Sequence, residues 1–317
     1  MKAVVQDRYG PPQVLRLEEH PVPVPGGGEV LLRVRATSVN LSDWETLRGR
    51  PAYARLGGLR RPARPVLGSD VAGVVEALGP DVTGLEVGDE VVGDLLASKG
   101  GFAEYCLAPA SALAAKPPEL SFVQAAAVPQ SAAIALQGTR WAGPGVRVCV
   151  NGAGGGSGVF CIQLAVAAGA HVTAVDTGAK LDHMRSLGAH EVLDHTRDDF
   201  TRHGPFDLVL DLVARRSVFA YRRALAPDGR YRCVGGSTRA LLRVLTVGSL
   251  LGVAGGRSLG VLAVREGPEH FGPLLRRCAE GAVEVRVDRT YSLDEVPAAL
   301  ERVGSGRSLG KVVVEVG

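Results

Sequence analysis

Val148-Cys149-Val150-Asn151-Gly152-Ala153-Gly154-Gly155-Gly156-Ser157-Gly158 reads as a short apolar strand that enters a glycine-rich turn and leaves it as a helix. Glycine at such a turn lets the backbone approach a pyrophosphate, whose charge is met by the N–H groups at the helix start. The spacing is Ala153-x-Gly155-x-x-Gly158, with Ala where a dinucleotide loop usually has its first glycine. No Gly-Lys-Ser or Gly-Lys-Thr follows, which excludes a nucleoside-triphosphate loop.

Strands and helices alternate around this loop. Segments 147–151, 171–176, 192–193, 208–211 and 231–234 are apolar or β-branched, and helical patterns cover 158–168, 181–187 and 217–225. Strands spaced by helices predict a parallel sheet built from βαβ units. Just upstream, Ser121 caps an Ala-rich segment, 122–141, which Pro129 divides into two helical pieces. Before Pro117-Pro118 the texture changes. Short strands at 2–6, 15–22, 30–36, 71–77, 90–93, 103–107 and 112–116 are separated by turn-formers such as Gly10-Pro11-Pro12 and Gly79-Pro80-Asp81. They predict a β-rich, barrel-like first domain. The last stretch, 283–317, holds a strand at 285–291, a helix opened by the capping box Ser292-x-x-Glu295, and a closing strand at 311–316.

A chain of 317 residues corresponds to about two domains. With 46% hydrophobic and 22% charged residues it has a globular composition, and disorder is excluded. The net charge of +3 is spread thinly. The densest basic spot, Arg60-Arg61 with Arg64, lacks the interleaved aromatics of a single-strand binder, so nucleic acid is not an expected partner. Only five of the 36 basic residues are lysines (Lys2, Lys99, Lys116, Lys180 and Lys311), which makes each of them worth locating. Gly is the outlier at 42 residues, well above the ordinary share of about 7%. The five cysteines, Cys106, Cys149, Cys161, Cys233 and Cys278, form no C-x-x-C pair. They point to a reducing compartment and away from a zinc knuckle or disulfide framework. The opening MKAVVQDRYG lacks the apolar centre of a signal peptide, and the closest approach to a membrane span, 240–254, is interrupted by Arg243. A cytoplasmic protein with no membrane partner is expected.

The second strand of the βαβ region ends at Asp176-Thr177-Gly178-Ala179-Lys180. An acid here accepts from a ribose 2′-hydroxyl and selects NAD(H), whereas Thr177 and Lys180 suit a 2′-phosphate. The two signals conflict.

Several motifs in order resemble the medium-chain dehydrogenase/reductase superfamily. They are the Ala-x-Gly-x-x-Gly loop, Gly68-Ser69-Asp70-Val71-Ala72-Gly73-Val74-Val75-Glu76, Gly88-Asp89-Glu90-Val91-Val92-Gly93, Gly100-Gly101-Phe102-Ala103-Glu104-Tyr105 and Leu187-Gly188-Ala189. The resemblance spans essentially the whole chain. It implies an α/β protein with a GroES-like β-barrel catalytic domain, 1–120 completed by 265–317, and an inserted Rossmann domain, 121–264. It also implies a cofactor in the cleft between them and a homodimer. Zinc-dependent members carry a Cys ahead of an Asp, and a Gly-His-Glu; here Asn40 stands at the Cys place and Ser69 at the His place. The lobe with four closely spaced Cys is also absent. The branch resembled is therefore the zinc-free quinone oxidoreductase group, with no metal expected. In that group Thr-x-x-Lys binds the 2′-phosphate of NADPH, and Thr177-Gly178-Ala179-Lys180 fits the pattern. Asp176 departs from it, so NADP(H) is favoured and NAD(H) stays open.

The resemblance implies hydride transfer from the nicotinamide to the β-carbon of a quinone, enone or other α,β-unsaturated carbonyl. Donors aimed at the carbonyl oxygen would lower the barrier. Asn40 is a candidate donor or a structural turn residue, and Tyr53 a candidate proton donor or a rim aromatic. Asp43, Trp44 and Ser69 are candidates for the substrate pocket. On the cofactor side stand Gln130 and Ser131, Gly154 to Gly158 with Ser157, and Asp176, Thr177 and Lys180. Leu212 and Val213, and Val234, Gly235, Gly236 and Ser237, follow the later strands, whose ends face the crevice in open α/β sheets. Two rival functions remain: a biosynthetic reductase whose hydride addition triggers ring closure, and a non-catalytic dinucleotide-binding protein.

Overall fold

A computed structural model describes residues 1–248, 250–251 and 256–317; part of the apolar run 240–254 lies outside them. The chain divides into two compact units, Met1–Ala133 with Arg265–Gly317, and Ile134–Val264. The first boundary falls later than residue 120, because the helix Phe122–Ala126 packs on the sheet of the first unit.

In the first unit, β1 (Lys2–Val5) and β2 (Arg16–Glu19) form an antiparallel pair. The main sheet is built on β3 (Glu29–Val39), β4 (Asp70–Leu78), β5 (Glu90–Asp94), β6 (Tyr105–Pro109) and β7 (Leu113–Ala115). In β3, Leu32 and Val34 are buried and Arg33 between them is exposed, the period of two of a strand with one core face, whereas Val30 and Leu31 are both buried. An unexpected helix, Leu41–Arg48, follows Asn40 and stops at Gly49, whose φ of 57° is left-handed. At eight residues it shows too little periodicity to be seen from sequence. The helix Phe122–Ala126 carries the expected cap: Gln124 N–H donates to Ser121 Oγ at 3.2 Å, and Ser121 N–H to Gln124 Oε1 at 3.0 Å. Pro129 opens the next helix, Pro129–Gly138, as its first residue.

The second unit holds β8 (Arg147–Asn151), β9 (His171–Asp176), β10 (Glu191–Asp194), β11 (Phe206–Asp211), β12 (Leu225–Cys233) and β13 (Ser258–Val261). They form a parallel six-stranded sheet in the order β10-β9-β8-β11-β12-β13. That is the doubly wound dinucleotide order, which reverses direction between β8 and β11. Val148, Cys149 and Val150 are wholly buried, as a central strand covered on both faces requires.

The chain then returns to the first unit through a helix, Pro268–Ala279, β14 (Val287–Ser292), the helix Val296–Gly304 and β15 (Lys311–Glu315). There β15 pairs antiparallel with β3 and parallel with β14, so the C-terminal strand completes the sheet begun by the N-terminal strands. Among the described residues, no helix is long and apolar enough to cross a membrane.

Candidate cofactor and active-site residues

In the second unit the glycine loop is fixed by close approaches. Gly152 has φ 86°, and a Cβ there would lie 3.0 Å from Val213 Cγ2 and 3.2 Å from Leu212 Cβ. Gly158 is tighter still: its Cβ would fall 2.4 Å from Ala153 O and 2.5 Å from Gly152 O. Only glycine lets the helix Gly156–Ala167 spring directly from the turn. Gly155 is its N-cap, and Gly156, Ser157 and Gly158 form its first turn, where backbone N–H groups lack intrahelical acceptors.

Asp176 and Lys180 form one unit. Asp176 Oδ2 accepts from Gly154 N–H at 3.0 Å and from Lys180 Nζ at 3.2 Å, and Oδ1 accepts from Thr177 N–H at 2.8 Å. Both side chains are buried, and the Lys180 stem covers Gly154. The acid ties the loop to the lysine, which explains how the two conflicting signals coexist.

Asp211, at the end of β11, is a centre that sequence reasoning passed over. Its Oδ1 accepts from Asn151 Nδ2, Val213 N–H and Ala214 N–H at 2.8, 2.9 and 2.8 Å, and Oδ2 accepts from Tyr231 OH at 2.9 Å. Burial, and then the Asp211 charge, push the Tyr231 phenol far up. Val234 N–H donates to Asp211 O at 2.9 Å, and Gly235 and Gly236 follow with left-handed φ of 73° and 110°. Ser237 caps the next helix, accepting from Ala240 N–H at 3.1 Å. Leu212, Val213 and Val234 thus gather at the C-terminal edge of the sheet.

In the first unit a buried polar cluster lies where β3, β4 and β15 meet the helix Pro129–Gly138. Asp70 Oδ2 accepts from Ser38 Oγ at 2.7 Å, Asn40 Nδ2 at 2.9 Å and Lys311 Nζ at 3.3 Å, and Oδ1 from Gln130 N–H at 3.0 Å. Asn40 Nδ2 also reaches Ser69 Oγ at 3.2 Å, and Asn40 Oδ1 accepts from Lys311 Nζ at 2.6 Å. In this arrangement the Asn40 amide is a buried tie among protein groups. Ser131 Oγ accepts from Lys311 Nζ at 3.1 Å. Asp43 is likewise a tie, accepting from Asn40 N–H at 3.0 Å and Lys99 Nζ at 3.1 Å. The Trp44 ring lies against Gly304, where a Cβ would come within 2.2 Å of it. Gln130 Oε1 accepts from Ser42 Oγ at 3.0 Å, but its Nε2 is buried and has no acceptor among the described residues. A buried donor left without a partner is costly in a folded chain.

Tyr53 OH stands 3.0 and 3.1 Å from the two carboxylate oxygens of Glu45. Burial raises Glu45 to about 7, against a smaller lowering by Tyr53. Burial, then the charges of Asp70 and Glu266, hold Asp94 well above the carboxylate range, and Asp94 faces Asp70 across the β4–β5 pair. A carboxyl raised on folding binds its proton more tightly in the native state. Its stabilisation is full below about pH 4, the unfolded value, and is lost as pH rises through the folded value. Chain stability is therefore expected to fall as pH rises from about 5 towards 8. Asp94→Asn combined with Glu45→Gln should flatten that slope in urea unfolding; an unchanged slope would refute the assignment.

Comparisons to known proteins bear on the family and the fold. A family described as alcohol dehydrogenase GroES-like domain matches residues 26–118, and one described as zinc-binding dehydrogenase matches residues 187–314. The chain is 30% identical to the mitochondrial NAD(P)H oxidoreductase RTN4IP1 of Homo sapiens, over 100% of this chain and 89% of that protein. It is 32% identical to 2-methylene-furan-3-one reductase of Solanum lycopersicum, over 99% of this chain and 79% of that protein. The solved structure of the quinone oxidoreductase from Coxiella burnetii superposes with a TM-score of 0.89 at 30% identity, covering 100% of this chain and 99% of that one.

Proposed function

The chain belongs to the medium-chain dehydrogenase/reductase superfamily, in its quinone oxidoreductase-like branch, and from that premise we propose a zinc-independent NADPH-dependent reductase of quinones, enones or other α,β-unsaturated carbonyls. When bound, NADPH supplies the hydride that reaches the β-carbon of the acceptor. The glycine turn fits such a group, since the side-chain-free stretch 154–156 leads directly into the first turn of the helix Gly156–Ala167, where the helix ladder supplies no acceptor for the backbone N–H groups. Gly154 to Gly158 hold the pyrophosphate, Thr177 and Lys180 the 2′-phosphate, and Leu212, Val213 and Val234 to Ser237 border the cofactor. Asp176 orients Lys180.

The observation that carries the substrate reading is the acceptor-free Gln130 Nε2. It donates to the carbonyl oxygen on which negative charge develops, a stabilisation worth most in a water-poor site. Gln130 is held for this by its own N–H on Asp70 and its Oε1 on Ser42. The Tyr53–Glu45 pair supplies the proton that completes the reduction.

The test is a panel of quinones and enones with NADPH, followed by nicotinamide absorbance and product mass, before and after dialysis against a chelator. Turnover that survives dialysis and adds two hydrogens without a new ring is expected. Tight NADPH binding without turnover of any acceptor would favour a non-catalytic role. Lys180→Ala should raise the Kd for NADPH about tenfold, the worth of one charged hydrogen bond. The Kd for NADH should hold or fall, because Asp176 is freed for a ribose hydroxyl. Equal effects on the two would sink the 2′-phosphate assignment.

A further inference from the structure

Charge is segregated along one stretch of the first unit. Residues 46–64 contain six arginines and no acid, and residues 65–98 contain seven acids and no Lys or Arg, in a chain whose net charge is only +3. The fold carries the two blocks apart. The arginine loop lies between β3 and β4, at the end marked by the Ser38–Asp70 pairing, while an acidic turn follows β4, at the end marked by the Val30–Leu78 pairing. The stretch of β3 from Val30 to Ser38 that separates those pairings spans about 26 Å. The loop is held in shape. Tyr9 OH donates to Gly58 O at 2.5 Å, and the Arg55 guanidinium, over the Tyr9 ring, donates to Gly49 O at 3.0 Å and Leu59 O at 3.4 Å. Arg55 is thereby used inside the loop. Arg60, Arg61 and Arg64 stay exposed, with Leu56 and Leu59 86% and 79% exposed among them. Apolar side chains held outward on a fixed, charged loop mark a contact surface. At the other end, an open cleft of about 690 Å³ is lined by Val82, Leu85 and Leu113 and by Asp81, Asp89 and Glu90. Glu86, on the same acidic turn, is exposed.

We propose that the arginine loop of one chain docks in the acidic cleft of a second copy, with Leu56 and Leu59 on its apolar lining and Arg60, Arg61 and Arg64 against its carboxylates. Surfaces at opposite ends of the β3–β4 pair cannot meet within one chain, so the contact runs head to tail. The match of apolar as well as charged parts favours this occupant. A free phosphate or a nucleic-acid backbone would answer the arginines and leave both leucines in water. A lipid surface is met by an amphipathic helix or an acyl anchor, and the helical part of this loop is the short turn Ala52–Arg55. One loop in one cleft makes a small interface, of the weak and salt-sensitive class. The contact depends on neither the cofactor nor the acceptor proposed above.

Sedimentation velocity of the full chain tests it. Self-association should weaken at least about tenfold between low salt and about 0.5 M NaCl, where charges are screened within a few ångströms. Arg60→Glu with Arg61→Glu should lower the association constant about 100-fold, and so should Asp81→Lys with Glu86→Lys. Mixed together, the two reversed chains should associate to within about threefold of the native chain, because each loop then finds a cleft of opposite charge. Leu56→Ser with Leu59→Ser changes no charge and should weaken the contact at least about tenfold. That pair decides the matter if circular dichroism shows a reversed chain unfolded. A salt-independent size, a mixture of folded reversed chains that stays apart, or leucine substitutions without effect would overturn the proposal. So would binding of the native chain to phosphatidylserine vesicles that the arginine reversal abolishes and the cleft reversal leaves intact, since the loop would then belong to a lipid surface.

Discussion

Asp211→Ala is expected to cost about 3–5 kcal/mol of stability, the range for removing one partner of a buried charged network. The carboxylate is wholly buried and accepts from four donors, two of them backbone N–H groups of the following loop. Alanine leaves all four without an acceptor, at about 1–3 kcal/mol for a donor that finds no replacement. The stacked Tyr221 and Tyr231 rings, 4.0 Å apart, leave the Tyr231 hydroxyl little freedom to turn elsewhere. The loss should appear as a lower urea midpoint with an unchanged slope. Since Leu212 and Val213 lie over Gly152, NADPH affinity should fall with it. A loss under about 1 kcal/mol would show that the donors find other acceptors.

Gly158→Ala is expected to cost about 3 kcal/mol through overpacking. The atoms that a Cβ would strike are the backbone of Gly152 and Ala153, which no change of side-chain rotamer can move aside. Either the helix shifts or the turn opens, and both spoil the anion cradle. Gly155→Ala is the control, because the nearest atom to its Cβ is 3.7 Å away and its φ of −96° suits any residue. Thermal unfolding should separate the two variants clearly. Equal shifts would mean that the contact with Ala153 and Gly152 does not set the loop.

How much of this was legible in the sequence depends on how far apart the interacting groups lie along the chain. The strand–turn–helix at Gly152, the caps at Ser121 and Ser292 and the helix break at Pro129 involve neighbours within a few residues, and their positions hold. The helix Pro268–Ala279 was legible but went unread: Phe271, Leu274, Leu275 and Cys278, all buried, recur at helical spacing. The scarcity of lysine was a usable signal: four of the five, Lys99, Lys116, Lys180 and Lys311, are buried. Their compact ammonium groups serve as interior cations, while arginine carries most of the positive surface charge.

Backbone conformations and the spacing of apolar residues are local properties, so the glycine loop and the alternation of elements around it are written in the sequence alone. The partners of the buried polar groups are not. Lys311 reaches Asn40 across 271 positions, and Asn151 reaches Asp211 across 60. A buried charge is tolerated only where folding delivers its counterpart, and that meeting is decided when β15 closes on β3 and β11 on β8. Sequence marked Asn40 as the residue at the metal's place; only the tertiary structure put an ammonium beside it.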